Sequence, residues 1–118
     1  METKMLKIVL KLKDKELKTL ETDKPEITIG RQEDNDIHIN NLGASKKHAR
    51  IFRRDGIYIL EDLRSTNGTL LNDESIQTAK LKGDDVVTIG KHALYISNQD
   101  NRNNAPEGFA EKTVKINS

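Results

Sequence analysis

The sequence contains no cysteine and no tryptophan, two prolines, and four aromatic residues among its 118: Phe52, Tyr58, Tyr95 and Phe109. Without cysteine there is no disulfide framework, no thiolate nucleophile and no cysteine-based zinc site, which suits a cytoplasmic location. Four rings are few platforms on which bases could stack, so nucleic acid is not an expected partner. No apolar run is long enough to cross a bilayer, and Met1 to Lys7 lacks the continuous apolar stretch of a signal peptide. A soluble chain, not exported by that route, is expected. Charge of one sign is missing too. The 20 Lys+Arg and 19 Asp+Glu leave a formal +1, with no general pull toward a phosphate backbone or an anionic membrane. Any anion bound here must be held locally.

Apolar residues make up 34% of the chain and charged residues 33%. Leu, Ile, Val and Phe together number 30 of 118, about a quarter, above the roughly one-fifth level at which disorder becomes the default. One folded domain is expected.

The apolar residues recur with period two, in short segments separated by turn residues. Leu6, Ile8, Leu10 and Leu12 alternate with Lys7, Val9, Lys11 and Lys13, the pattern of a half-buried strand with a lysine face. Similar segments run over 17–22, 27–29, 37–39, 49–53, 57–60, 70–71, 76–81, 86–89 and 94–96. Between them stand Asp23-Lys-Pro25, Asp34-Asn-Asp36, Asp55-Gly56, Asn67-Gly68, Lys82-Gly83-Asp84 and Gly90-Lys91. About ten short strands with no convincing amphipathic helix predict an all-β sandwich or barrel. Composition changes after Ser97, where residues 98–118 offer few apolar groups. A domain over 4–97 and a flexible polar tail over 98–118 are expected.

Three short motifs follow one another: Gly30-Arg31, Ser45-Lys46-Lys47-His48 and Ser65-Thr66-Asn67-Gly68. Each alone has an ordinary explanation as a turn glycine, a chance pairing or a hairpin signal. Their order, each at the edge of a predicted strand, lets loops from one end of a sandwich converge. The runs Ile27–Arg31, Asn35–Ile39, Ser45–Ile51, Leu63–Leu70 and Leu81–Val86 closely resemble the forkhead-associated (FHA) domain. The resemblance covers residues 6–97 and implies a twisted, FHA/SMAD-like sandwich of about eleven strands that binds phosphothreonine peptides through loops at one end.

A phosphothreonine brings roughly −1.5 to −2 charge and three acceptor oxygens, so its receptor needs a cation and several donors at fixed positions. The resemblance assigns phosphate contacts to Arg31, Ser45, Lys46 and Thr66 and peptide main-chain contacts to Asn67. It makes Gly30, His48 and Gly68 residues that shape the site. Gly43 and Ala44 depart from the pattern, in which a branched apolar residue commonly precedes the serine and a basic one can stand two before it. A more mobile loop is therefore expected, with at most a weak acidic preference three residues after the phosphothreonine and an apolar or relaxed one instead.

These readings imply a non-enzymatic module in Ser/Thr kinase signalling or phospho-dependent assembly, with phosphothreonine proteins or Ser/Thr kinases as partners. The alternative is a structural interaction domain indifferent to phosphorylation. A Ser45/His48 hydrolase is disfavoured, because no carboxylate with an orienting role is assignable. His38, His48 and His92 share no ligand spacing, and Asp34-Asn-Asp36 lacks the other features of a calcium loop, so neither metal nor cofactor is expected. Arg50, Arg53, Arg54 and Arg64 are read as mostly solvated, with Arg64 beside the third motif. In the tail, Thr113-Val-Lys-Ile116 puts an aliphatic residue three after a threonine. If a kinase modifies Thr113, the tail has the chemistry to occupy the domain's own site in cis or to link copies in trans; the plain alternative is an ordinary C-terminal segment.

Overall fold

The computed structural model describes residues 4–100 as eleven β-strands in two sheets. These are β1 (Lys4–Leu12), β2 (Lys15–Thr22), β3 (Glu26–Gly30), β4 (Ile37–His38), β5 (Ala49–Arg54), β6 (Ile57–Asp62), β7 (Thr69–Leu71), β8 (Glu74–Ile76), β9 (Thr78–Lys80), β10 (Asp84–Ile89) and β11 (His92–Asp100). One sheet has six strands in the order β2-β1-β11-β10-β7-β8, the other five in the order β4-β3-β5-β6-β9. The all-β sandwich expected from the period-two pattern is the fold observed. Strand β11 runs three residues past Ser97, and Thr113 lies outside the described residues.

Alternation decides which side chains face inward. Leu6, Ile8 and Leu10 of β1 oppose Asn98, Ile96 and Leu94 of β11, and the apolar members of that row are 4% exposed or less. Ile27 and Ile29 of β3, Ile51 of β5 and Leu60 of β6 form the facing layer, each fully buried. Tyr58 joins them at 1% exposure, its hydroxyl accepting a hydrogen bond from Arg53 Nη1 at 3.2 Å. The outward lysines Lys7 and Lys11 flank Tyr95, and the Lys11 ammonium sits 4.8 Å from the ring centre.

The run 76–81, expected to be one strand, is two. Residues through Ile76 pair with β7 in the six-stranded sheet, and residues from Thr78 pair with β6 in the five-stranded one. The chain changes sheets at Gln77, whose carbonyl accepts the Asp62 N–H at 2.8 Å and whose amide nitrogen donates to the Asp62 carbonyl at 3.2 Å.

The register also sets the direction of the molecule. The β1–β11 pair runs from Lys4↔Asp100 at one end to Leu12↔His92 at the other. At that second end lies the two-residue β10–β11 turn, opened by Gly90 at φ +60°, and a Cβ on Gly43 would lie 3.6 Å from the Gly90 Cα. The end of β3 and the β4–β5 and β6–β7 connections meet there. Both chain ends of the described fold leave from the opposite side.

Candidate functional site

The β4–β5 connection is held by short-range hydrogen bonds. Asn41 accepts the Gly43 N–H on Oδ1 at 2.7 Å and the Ala44 N–H on its carbonyl at 3.0 Å, an Asx turn closed inside a β-turn. Ala44 is buried, 2% exposed. The Asn67 amide nitrogen donates to the Gly43 carbonyl at 2.9 Å. The loop expected to be loose because of Gly43 and Ala44 is thus tied both to itself and to the third motif.

Two backbone approaches set the loop against β3. Arg31 N–H donates to the Ser45 carbonyl at 3.0 Å, and Gln32 N–H to the Lys46 carbonyl at 3.3 Å. This contact leaves no space at Gly30, where a Cβ would lie 2.2 Å from the Lys46 carbonyl oxygen. The glycine is therefore required by close approach. Buried Asn35 bridges the same place, its Nδ2 donating to the Gln32 and Lys46 carbonyls at 2.8 and 2.9 Å.

His48 is fully buried where three segments meet. Its Nδ1 accepts the Ser45 N–H at 3.0 Å, which makes Nδ1 the acceptor nitrogen and leaves Nε2–H to donate to the Gly68 carbonyl at 2.8 Å. Its backbone N–H donates to the Ile29 carbonyl, and its carbonyl accepts from Leu63 N–H, both at 2.9 Å. One residue thus ties β3, the serine loop and the β6–β7 loop together.

The β6–β7 loop has its own anchor in Asp62, which the sequence reading did not single out. Asp62 is 8% exposed and accepts from the Ser65 N–H at 3.1 Å, the Ser65 hydroxyl and the Thr69 hydroxyl at 2.6 Å. Ser65 Oγ in turn accepts the Gly68 N–H at 2.9 Å. Burial pushes the Asp62 carboxyl up, but the hydrogen bonds from Ser65 and Thr69 and the nearby His48 outweigh it and hold it below its ordinary value. Gly68 adopts φ +88° and Arg64 +56°, the left-handed corners that let so short a loop turn back. A signal for Asp62 was present: Tyr58, Leu60 and Asp62 share the inward face of β6, and a buried acid needs nearby donors.

Between these loops a cavity of about 360 Å³ is lined by Arg31, Ser45, Lys46, Thr66 and Asn67, with Leu42, Gly43 and Ala44 as its other wall. Five residues singled out from three separated motifs therefore share one cavity. Gly30, His48 and Gly68 lie behind it. Arg64 does not line it and borders a different recess beside Gln77. Arg50, read as solvated, is engaged elsewhere and spans Glu26 and Glu61 at 2.9 and 2.6 Å.

The donor inventory follows from the bonds already made. Ser45 Oγ accepts the Thr66 N–H at 3.0 Å, so its own O–H is left to donate. Arg31 uses Nε on the Ala44 carbonyl at 3.1 Å, keeping its terminal nitrogens. Asn67 spends one amide hydrogen on Gly43, keeping the other and Oδ1. Among the described residues neither Arg31 nor Lys46 is in a salt bridge, whereas neighbouring Lys47 pairs with Asp34 at 3.0 Å. No carboxylate lines the cavity. Ser45 Oγ and His48 do not form a nucleophile–base pair, because both ring nitrogens are committed to backbone groups. Among the described residues no cluster of three metal-ligating side chains occurs, and no helix is long and apolar enough to cross a membrane.

The family model for the FHA domain matches residues 27–90. The oxoglutarate dehydrogenase inhibitor of Corynebacterium diphtheriae is 38% identical over 72 residues, which are 61% of this chain and 50% of that protein. The glycogen accumulation regulator GarA of Mycolicibacterium smegmatis is 36% identical over 72 residues, 61% of this chain and 46% of that one. The chain thus spans about half the length of these curated relatives. An FHA domain solved for the study of phosphothreonine-dependent interactions superposes with a TM-score of 0.68 at 28% identity, covering 77% of this chain and 95% of its own. The FHA domain of an Arabidopsis thaliana protein gives 0.71 at 29%, covering 91% and 92%. With the family model covering more than half of its length, the chain belongs to the FHA domain family.

Proposed function

We propose that Arg31, Ser45, Lys46 and Thr66 hold the phosphate of a phosphothreonine and that Asn67 holds the main chain of the peptide carrying it. The observation that carries this reading is the charge of the cavity: its lining has two cations and no carboxylate. A dianionic phosphate supplies the missing countercharge and can accept from the Arg31 fork, the Lys46 ammonium and the Ser45 and Thr66 hydroxyls. Asn67 retains one donor and one acceptor, the complement of a peptide unit. Glycines 30 and 68 and His48 act through backbone geometry. The partner is a phosphothreonine-bearing protein or a Ser/Thr kinase, met in the cytoplasm, and affinity is modest because a small loop-built site recovers little after ordering costs. Titration with matched phosphothreonine, phosphoserine and unphosphorylated peptides tests the reading: binding only to the first supports it. Equal binding of the phosphorylated and unphosphorylated forms favours a structural domain instead.

Residues 4–97 are proposed as the binding domain and 98–118 as its tail. Twelve residues lie between Asp100 and Thr113, a contour of about 45 Å when extended, and β11 itself spans about 26 Å. A phosphorylated Thr113 has the reach to enter the site at the other end of the sandwich or to engage a second copy. Unchanged affinity for an external phosphopeptide and unchanged mass in solution after Thr113 phosphorylation would remove this part of the proposal.

A further inference from the structure

A second cleft of about 470 Å³ opens on the other side of the Asn40–Gly43 turn. Its wall is apolar, made by Leu10, Leu12 and Leu17 of the β1–β2 hairpin, and Leu17 is 44% exposed. Its ionisable groups are Lys18 on β2, His38 on β4 and His92 on β11; no carboxylate lines it. The cleft lies between sheets, where β2 and β4 are the edge strands.

His92 opposes Leu12 at the first inward position of β11 and is 4% exposed. Its Nδ1 is buried with no hydrogen-bond partner among the described residues. An apolar side chain at that position would close the sheet ends without leaving a polar atom unsatisfied, so the imidazole serves no packing need visible in the fold. Lys18 reaches only a backbone carbonyl, that of Asp36, at 3.3 Å, and enters no salt bridge among the described residues.

The cleft and the proposed phosphate site lie on consecutive residues of one turn. Asn40 and Asn41 border the cleft, while Leu42 and Gly43 border the phosphate cavity. His38 pairs with Gly30 in the parallel β3–β4 ladder, one residue before Arg31.

We propose that this cleft is a subsite for an acidic side chain of the bound phosphopeptide, reached across the Asn40–Gly43 turn from the phosphothreonine, with Lys18 as cation, His38 and His92 as imidazole partners and the three leucines packing its methylenes. The inference rests on the phosphate reading above. It also separates two positions along the peptide. Gly43 offers no cation to a side chain three residues from the phosphothreonine; the positive charge lies farther along, beyond the turn.

The experiment is a calorimetric titration of the wild-type chain with phosphothreonine peptides of neutral flanks, into which single glutamates are placed at each of six positions on either side. A gain of about fivefold in affinity at one or two adjacent positions is expected, the order contributed by one partly exposed ion pair. That gain is lost in Lys18→Ala and in His92→Leu, while both variants bind the neutral phosphopeptide as wild type does. A flat glutamate scan with phosphopeptide binding intact overturns the subsite alone, and a gain that survives both substitutions overturns its assignment to this cleft. A wild-type chain that binds none of the phosphopeptides overturns the phosphate reading beneath it.

Discussion

Ser45 and His48 are joined through the serine's backbone: its N–H donates to Nδ1 at 3.0 Å, while its hydroxyl oxygen accepts from Thr66. The histidine is a brace between two loops. His48→Ala removes the partners of the Ser45 N–H and the Gly68 carbonyl, and each buried group left unsatisfied costs about 1–3 kcal/mol. A loss of about 2–4 kcal/mol in urea unfolding is expected, with weakened phosphopeptide binding. An unchanged unfolding midpoint would contradict the bracing role, and labelling of Ser45 by a serine-reactive probe would contradict its lack of activation.

Gly30 and Gly56 are both turn-proximal glycines that fail for different reasons. An alanine at 30 meets the Lys46 carbonyl at 2.2 Å, so the β3 end and the serine loop must separate, at a cost of about 1–3 kcal/mol or more and with reduced phosphopeptide affinity. At Gly56 nothing lies within 4 Å, but φ is +79°, so Gly56→Ala costs about 1–2 kcal/mol in strain alone. Binding by that variant should match wild type. Parallel denaturation and peptide titration of the two variants check the contrast.

Asp62 links the site to pH. Its folded carboxyl titrates below the reference value of 3.8, so its contribution to stability is full above the unfolded pKa and is lost as pH falls through the folded one. Asp36 behaves alike: burial pushes it up, and hydrogen bonds from Lys24 and Thr28 more than offset this. Stability measured by denaturant from pH 7 to pH 2 should fall below about pH 4. Asp62→Asn should be less stable than wild type at pH 7 and lose less on acidification, so that the two curves converge. Parallel curves over the whole range would contradict the account.

Much of this was legible because alternation is a local property. Leu6, Ile8 and Leu10, or Ile27 and Ile29, announce an inward face without reference to any other segment. The 76–81 run was misread because nothing local marks the change of sheet. No glycine or proline stands there, and the crossing is fixed by the bonds of Gln77 to Asp62, fifteen residues away in sequence. Strand β8 was hidden because Glu74 and Ser75 are exposed on an edge and carry no apolar period. The turn before it uses Asn72 and Asp73 at φ +49° and +73°, a left-handed pair without the usual glycine. At the site, the ordered motifs named the residues around the cavity, whereas Asn35 acts through loop carbonyls that no local signal reveals, and Asp62 is marked only by its inward place in the β6 alternation.

The central claim is that a phosphothreonine lies between Arg31 and Ser45, and the most direct measurement is phosphopeptide affinity in Arg31→Ala. Removing one charge-assisted contact should cost about 1.5–3 kcal/mol of binding, roughly ten- to a hundredfold, with the folded state retained by circular dichroism. Wild-type affinity in that variant, or equal binding of phosphorylated and unphosphorylated peptide by the wild type, would contradict it.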